Sequence, residues 1–173
     1  GSMTVLYFFP EELRTPWYMW EQRWTEIQEI RLRVNCPVSI RTISGERFLL
    51  NKEGERVSYS DREMELIFRH LCHDSIYAYE EERKQGYMTL TGGHRVGITG
   101  EVIRVEQGYI VKYIRYMNIR IAHEVVGIGE SIREYMYDRG MPCNSLIISP
   151  PAAGKTTLLR DMVRMYADGN GQY

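Results

Sequence analysis

The residues best suited to chemistry lie near the end of the 173-residue chain, in a segment that resembles a phosphate site. A short apolar run at 145–148 is typical of a strand buried on both faces, and the apolar spacing at 158–163 predicts a helix. The loop between them comprises Ser149, Pro150, Pro151, Ala152, Ala153, Gly154, Lys155, Thr156 and Thr157. Strand, loop and helix follow in the order that a phosphate-binding loop requires.

Three residues of this loop are predicted to bind a nucleoside triphosphate. Gly154 has no Cβ, so backbone N–H groups and the positive end of the following helix can surround a phosphate. Lys155 would place its charge on the β- and γ-phosphates, and the Thr156 hydroxyl would be a ligand of Mg²⁺. The loop therefore predicts binding of ATP or GTP with Mg²⁺, and not of a dinucleotide.

One position departs from the usual pattern of this motif. The first glycine should stand five residues before Gly154, where this chain has Ser149. Serine can follow the same backbone path when its φ is negative, and Pro150 and Pro151 stiffen the turn. The phosphate-binding interpretation therefore holds, and its alternative is a helix cap that happens to read Gly-Lys-Thr.

Composition limits what the rest of the chain can be. Hydrophobic residues make up 43% and charged residues 26%, which is typical of a globular protein and excludes a disordered or collagen-like chain. The 22 Lys and Arg against 23 Asp and Glu give a formal charge of −1, so no overall field attracts nucleic acid or anionic lipid. Three cysteines indicate a reducing compartment, and no apolar run approaches the ~20 residues of a membrane-spanning helix. We expect a cytoplasmic protein.

Three helices are predicted in the first half of the chain. Apolar residues spaced by three and four predict a long helix from Thr15 to Val34, with its three tryptophans in the core. A capping box at 60–63 predicts a second helix that ends near residue 72. A third, short helix is predicted over 77–85, before Gly86.

Alternating apolar and polar residues predict strands elsewhere. Two of them, 38–43 and 47–50, are joined by a turn at Gly45. A two-residue hairpin at 92–93 and a second turn at 106–108 join the arms of a small antiparallel meander that covers 87–115. A further helix is predicted over 130–137.

These elements predict an α+β N-terminal domain, with helices and an antiparallel meander, over residues 4–140. Residues 144–173 are then the first strand, P-loop and helix of a RecA/AAA-like α/β P-loop NTPase domain. Residues 1–3 are expected to be a tag remnant and the start methionine. Because no strand with an acidic Mg²⁺ ligand follows the loop, we expect a truncated chain that does not hydrolyse ATP appreciably.

Four segments carry a resemblance to a known family, namely 28–33, 92–97, 118–122 and 146–161. In this order and spacing they resemble the stage III sporulation protein AA family of spore-forming bacteria, P-loop ATPases similar to the ring-forming ATPases of type II and type IV secretion and pilus systems. The resemblance covers nearly the whole chain. It implies a mother-cell ATPase, peripheral to the membrane, that forms a hexameric ring when full length and energises the membrane-embedded channel complex between mother cell and forespore.

The resemblance also implies catalytic arginines in the N-terminal domain. In similar secretion ATPases, this domain packs over the nucleotide and supplies guanidinium groups to its phosphates. Arg115 and Arg120 are the best candidates, because they end the meander, and they join Lys155 as predicted catalytic residues. Weaker candidates are Arg31, Arg33 and Arg95. For each arginine the alternative is a surface ion pair with a carboxylate.

Two other classes of function stay open at this point. Basic residues and tyrosines are interleaved on the meander, which is one way to build a platform for single-stranded nucleic acid. These residues are Arg104, Lys112, Arg115 and Arg120 with Tyr109, Tyr113 and Tyr116. Alternation places some of the tyrosines in the core, so we expect no DNA or RNA partner. The third class is a non-catalytic module for oligomerisation or docking.

Two histidines and a cysteine are close enough in sequence to be considered as metal ligands. His70, Cys72 and His73 lie at the end of the second helix, but two residues on one helical turn do not complete a tetrahedral site. His94 is expected to lie on the surface of its hairpin.

Overall fold

The computed structural model describes residues 4–73, 75–106 and 108–123, together with 157–158 and 163–165. Two α-helices are present in these residues, α1 (Tyr18–Glu21) and α2 (Asp61–Cys72). Short 3-10 helices span Val5–Phe8, Glu11–Leu13, Thr15–Trp17 and Trp24–Glu26. The strands are β1 (Ile27–Arg33), β2 (Ser39–Thr42), β3 (Gly45–Phe48), β4 (Ile76–Glu80), β5 (Gln85–Thr89), β6 (Arg95–Val105), β7 (Gly108–Arg120), β8 (Thr157–Leu158) and β9 (Val163–Met165).

The described strands form one mostly antiparallel sheet. Its order is β3-β2-β1-β7-β6-β5-β4-β8, and β9 pairs in parallel with the first part of β7. The long strands β6 and β7 form the central hairpin, and β1 joins it by pairing with the last part of β7. The sheet is therefore built around one long hairpin, with shorter strands added on both sides.

One face of the sheet is apolar and carries the core. On β1 and β7 the residues that point to this face, Ile30, Leu32, Met117 and Ile119, are fully buried. Helix α2 packs across β7 and contributes an apolar stripe of its own, which consists of Met64, Ile67, Phe68 and Leu71. Burial of these side chains is the main term that stabilises the sheet.

An aromatic cluster closes one side of this core. Trp17 is fully buried, its ring stacks on Phe9 with the centroids 4.4 Å apart, and its Nε1 donates to the Tyr59 hydroxyl at 2.9 Å. Burial raises the pKa of Tyr59 to about 12, so this hydroxyl is neutral at physiological pH. Trp20 is buried as well, so the prediction of these two tryptophans as core is confirmed.

Several predicted elements are confirmed. The capping box at Ser60 is present, because the Ser60 side chain accepts from the N–H of Glu63 while the Glu63 carboxylate accepts from the N–H of Ser60. The predicted β2–β3 turn, the hairpin at Gly92 and Gly93 and the β6–β7 hairpin are all present. Gly92 and Gly93 both have positive φ, but Leu90 pairs with His94, so the loop has the three residues 91–93 and not the two that the sequence predicted.

The predicted helix from Thr15 to Val34 is wrong beyond its first turns, because residues 27–33 form β1. A register shift between Ile27 and Glu29 leaves Gln28 as an extra residue in the ladder with β2. This bulge puts Ile27 and Ile30 on the same face, since they lie opposite the buried residues Thr42 and Ile40. A spacing of three residues therefore imitates a helix within a strand.

The predicted helix over 77–85 is also wrong, because β4 and β5 form an antiparallel hairpin there. Aromatic and β-branched residues at 76–79 favour a strand, and the charged run that follows forms the turn. Lys84 adopts a positive φ of 51°, which is compatible with the turn between β4 and β5 but not with the interior of a helix.

The helix predicted over 158–163 is replaced at its two ends by the short strands β8 and β9. β8 pairs with β4, and β9 pairs with the part of β7 that β1 does not cover. Backbone N–H and C=O groups at these edges would otherwise lack a strand partner. A short apolar run does not distinguish a helix from a strand by its spacing alone.

The predicted helix over 130–137, the buried strand at 145–148 and the loop from Ser149 to Thr156 lie outside the described residues. The α+β prediction is thus corrected for the described part of the chain, which is mostly antiparallel sheet with few helices. None of the described helices is both long and apolar enough to cross a lipid bilayer.

Candidate functional site

The second face of the sheet is polar, and it brings together four of the five arginines that the sequence singled out. Cross-strand neighbours lie on the same face. In one row across β6, β7 and β1, Arg95 lies opposite Arg120, and Arg120 lies opposite Glu29. The next two rows place Arg31 opposite Asn118 and Arg33 opposite Tyr116.

Glu29 is the centre of this polar face. It is only 8% exposed, and a buried carboxylate is costly unless it is paired and hydrogen-bonded. The Asn118 side-chain N–H donates to its Oε1. Arg31 binds the other oxygen, Oε2, through Nε at 3.2 Å and Nη2 at 3.0 Å. Arg120 lies farther away, with its Nε 3.7 Å from Oε1.

These contacts determine the charge state of Glu29. Burial raises its pKa, but the hydrogen bond from Asn118, the charge and hydrogen bonds of Arg31 and the charge of Arg120 together outweigh burial. The pKa of Glu29 therefore lies below its ordinary value, and the carboxylate is ionised at neutral pH. A fixed negative charge at this position holds Arg31 firmly and Arg120 loosely.

The polar face keeps an excess of positive charge. In the three rows described above, Glu29 is the only carboxylate, against the guanidinium groups of Arg31, Arg33, Arg95 and Arg120. Within the described part of the chain, Arg33 and Arg95 have no carboxylate at ion-pair distance, and the Arg33 guanidinium lies over the Tyr116 ring. The Arg120 side chain is 75% exposed. Exposed guanidinium groups of this kind can bind phosphate oxygens.

Arg115 does not belong to this group. The ladder passes from Thr99 opposite Tyr116 to Gly100 opposite Ile114, so Arg115 is the extra residue of a bulge. Its guanidinium donates to Glu101 at 2.9 Å, and 61% of the side chain is exposed. Gly100 is required at the bulge, because a Cβ there would lie 1.9 Å from the carbonyl oxygen of Tyr113.

His94 is buried at 3% exposure, so the prediction of a surface position on its hairpin is wrong. Its Nδ1 accepts the N–H of Ala122 at 3.0 Å, and its ring meets Phe8 and Trp24 edge-on. His94 thus ties the end of β7 to the N-terminal aromatic residues. Its role in the described structure is to position the chain after Arg120.

The residues weighed as metal ligands have structural explanations. The Nε2 of His70 lies 2.8 Å from the carbonyl oxygen of Tyr7, and burial raises the pKa of Cys72 to about 12. A thiol with such a pKa is neutral and a poor ligand. In the described ranges, no three His, Cys, Asp or Glu side chains are grouped closely enough to hold a metal ion.

The basic residues considered for nucleic-acid binding are partly neutralised. Arg104 pairs with Glu81 at 3.2 Å, and Arg115 pairs with Glu101. Lys112 lies 5.4 Å from the ring centroid of its neighbour Tyr113. Two of these four basic residues, Arg104 and Arg115, are therefore engaged in surface ion pairs.

Sequence reasoning missed Glu29, Asn118 and Arg41, which lies opposite Glu29 on β2. The signal was present, because Glu29, Arg31 and Arg33 alternate with buried residues at the period of a strand. The tryptophans that precede these residues are spaced as on a helix, and this spacing predicted a helix across them instead of a strand. The predicted nucleotide residues from Ser149 to Thr156 lie outside the described residues, and Thr157 begins β8.

The described residues thus form a mostly antiparallel sheet with an arginine-rich polar face. Residues 9–173 match the sequence model of the family described as Sporulation stage III, protein AA, and the chain belongs to that family.

A curated relative, the Stage III sporulation protein AA of Bacillus subtilis (strain 168), is 42% identical over 151 residues. The match covers 86% of this chain and 47% of the relative, so the chain spans about half the length of the relative it matches. No solved structure matches the chain.

Proposed function

We propose that this chain is part of an ATP-binding sporulation ATPase similar to secretion motors, which energises the channel complex between mother cell and forespore. Membership of the sporulation family supports the cellular role. The observation that carries the molecular proposal is the loop sequence from Ser149 to Thr157, which has the glycine, lysine and hydroxyl that a triphosphate with Mg²⁺ needs.

In this proposal each loop residue has a distinct task. The backbone N–H groups around Gly154 surround the phosphates, and Lys155 neutralises the β- and γ-phosphate oxygens. The Thr156 hydroxyl holds Mg²⁺, which supplies charge neutralisation when it is bound. A metal ligand on a further strand and a group that orients water belong to the complete NTPase domain.

The polar face of the sheet supplies the arginines in this proposal. Arg120 is the preferred one, because it is largely exposed and only loosely held by Glu29, so a phosphate can compete for it. Arg31 is held more firmly by the same carboxylate, and Glu29 therefore orients both guanidinium groups before a nucleotide arrives. Arg115 is a weaker candidate than the sequence alone suggested, since it must first leave Glu101.

Nucleotide binding by the full-length protein tests this proposal. The variant Lys155→Ala should weaken binding of a fluorescent ATP analogue by about tenfold or more, because a charge-assisted contact to phosphate is lost. Lys52→Ala, which removes an exposed lysine from a turn, is the matched control and should bind normally. Equal affinities for Lys155→Ala and the unmodified protein would refute the proposed site.

Ring formation and nucleic-acid binding are separable by two further measurements. Sedimentation of the full-length protein with ATP should give a closed oligomer, in keeping with a secretion-type motor. Filter binding of single-stranded oligonucleotides against increasing salt should give no steep salt-dependent binding. Strong binding that weakens steeply with salt would favour the nucleic-acid alternative, and an oligomer without nucleotide turnover would favour the docking-module alternative.

A further inference from the structure

Glu29 and Arg120 lie directly opposite each other on β1 and β7, yet they do not form a close ion pair. Opposite charges at directly facing positions of an antiparallel pair attract each other. Here the Nε of Arg120 lies 3.7 Å from the Oε1 of Glu29, which is too far for a hydrogen bond. The Arg120 side chain is 75% exposed instead. The Glu29 carboxylate is therefore directed away from its own cross-strand neighbour.

The groups that bind this carboxylate lie in the next row of the sheet. Asn118 and Arg31 are opposite each other in that row. Arg31 holds Oε2, and the Asn118 side-chain N–H donates to Oε1. Among the described residues, Asn118 makes the only hydrogen bond that Oε1 accepts. The carboxylate thus leans along the strand, toward Asn118 and Arg31.

Asn118 is a costly residue at this position. It lies within β7, which pairs with β1 on one side and β6 on the other, and asparagine is depleted in strands. Its Oδ1 is buried and has no hydrogen-bond partner in the described part of the chain. A buried carbonyl oxygen without a donor is unfavourable. The contact with Glu29 therefore explains Asn118 better than the stability of the sheet does.

We propose that Asn118 is a positioning residue, which holds the Glu29 carboxylate away from Arg120 and so keeps the Arg120 guanidinium available for a phosphate. The phosphate rests on the function proposed above, whereas the competition for Oε1 does not. Glu29 is only 8% exposed, so water replaces a lost donor poorly. Without Asn118, Oε1 would bind Arg120. That ion pair would then compete with phosphate for the same guanidinium group.

Arg120 is the arginine that should respond to the loss of Asn118. Arg31 is already bound to Oε2. Arg41 lies opposite Glu29 on β2, but within the described ranges it makes no ion pair with any carboxylate. The Nε of Arg120 is already 3.7 Å from Oε1, so a small movement completes the bond. A change at Arg120 without one at Arg41 is thus the signature of the proposed role.

The Nε–H group of Arg120 reports this competition in proton–nitrogen NMR spectra of the 173-residue chain without nucleotide. Asn118→Leu, which keeps a branched side chain but has no donor, should slow exchange of this hydrogen with water about threefold or more, because it becomes hydrogen-bonded. Asn118→Ala should do the same without added bulk. Thr99→Leu, at an exposed position on the same face, is the control and should leave the exchange unchanged. Circular dichroism checks that all variants are folded.

ATP turnover by the full-length protein tests the consequence for the phosphate. Asn118→Leu should lower kcat about threefold to tenfold, because Arg120 must first leave Glu29. In a protein that also carries Glu29→Gln, the same change should alter kcat by no more than about twofold, because no carboxylate remains to attract Arg120. A merely structural role for Asn118 would give the same loss with and without Glu29→Gln.

Two results would overturn the proposal in the absence of nucleotide. One is exchange at the Arg120 Nε–H that is the same in both Asn118 variants as in the unmodified chain. The other is a new hydrogen bond at Arg41 in place of Arg120. Equal losses of kcat with and without Glu29→Gln would also overturn it. If the full-length protein did not bind ATP, the proposed function would fail, but exchange at Arg120 would still decide whether Asn118 positions Glu29.

Discussion

The two faces of the central strands place the same backbone under different physical demands. On β7, Met117 and Ile119 are fully buried against α2 and the neighbouring strands, whereas Asn118 and Arg120 point to the other face. On β1 and β7 the apolar face carries Ile30, Leu32, Met117 and Ile119, and none of these side chains has a polar group to satisfy. The polar face has one buried carboxylate, Glu29, that is stable only because its partners surround it.

The difference between the faces indicates how stability and chemistry are divided. Apolar burial is non-directional and large, so the core face determines whether the sheet forms. The polar face contributes little net stability, because ion pairs that remain partly hydrated are weak. The polar face can therefore keep its guanidinium groups in an arrangement that suits the binding of an anion.

The largest effect is expected from truncating the core face. Ile119→Ala should lower the free energy of unfolding by about 2–5 kcal/mol, since it removes a fully buried side chain and leaves a cavity. Arg120→Ala, one residue along on the other face, should cost less than about 1 kcal/mol. Urea unfolding of both variants measures the contrast. If both variants lost a similar amount of unfolding free energy, the two faces would not differ in their contribution to stability.

The next effect concerns the bulge that separates Arg115 from the polar rows. Gly100→Ala should cost about 1–3 kcal/mol, because its Cβ would overlap the Tyr113 carbonyl and force a backbone shift. Gly54→Ala is the control. It has a positive φ of 80° but no atom within 4 Å of the added Cβ, so only backbone strain applies. Thermal unfolding that ranks Gly54→Ala as the more damaging change would contradict the close approach at Gly100.

A smaller effect is expected at the centre of the polar face. Glu29→Gln should cost about 1–2 kcal/mol at neutral pH, because charge-assisted hydrogen bonds become neutral ones. The folded pKa of Glu29 is lowered, so its contribution is complete above the unfolded value and is lost as pH falls through the folded pKa. The stability difference between the two proteins should therefore shrink in acid. A difference that is constant down to acid pH would mean that Glu29 is not ionised in the folded protein.

The smallest effect is expected at Arg115. Arg115→Ala should change the unfolding free energy by no more than about 0.5 kcal/mol, because its ion pair with Glu101 is exposed on both sides. Glu101→Gln should behave in the same way. If chemical unfolding showed that either variant loses as much unfolding free energy as Glu29→Gln, the exposed pair of Arg115 and Glu101 would not differ in strength from the contacts of Glu29.

Much of the sheet was predictable from local signals. The capping box defined α2, and paired glycines and alternating residues defined the hairpins β5–β6 and β6–β7. These elements depend on contacts between residues close in sequence, so a short window contains the information. The β1 strand was not predictable in this way, because the bulge at Gln28 spaces its buried residues like a helix and its partners lie far along the chain.

The candidate site was predictable in part for the same reason. Arg31, Arg33, Arg95 and Arg120 were named from the sequence, but the carboxylate that holds two of them was not. Glu29 and Asn118 become neighbours only when β1 pairs with β7, a contact between residues 89 positions apart. The distinction between Arg120 and Arg115 likewise requires the bulge, for which the isolated Gly100 within β6 is a local signal that does not say which residue of β7 is displaced.

ATP turnover by the full-length protein tests the central claim most directly, through the two arginines that the structure separates. Arg120→Ala should lower kcat at least about tenfold, because charge stabilisation at the phosphates is lost. Arg115→Ala should leave kcat within about twofold of the unmodified protein, since its guanidinium belongs to a surface ion pair. Unchanged turnover in Arg120→Ala, with a normal unfolding midpoint, would contradict the role assigned to the polar face.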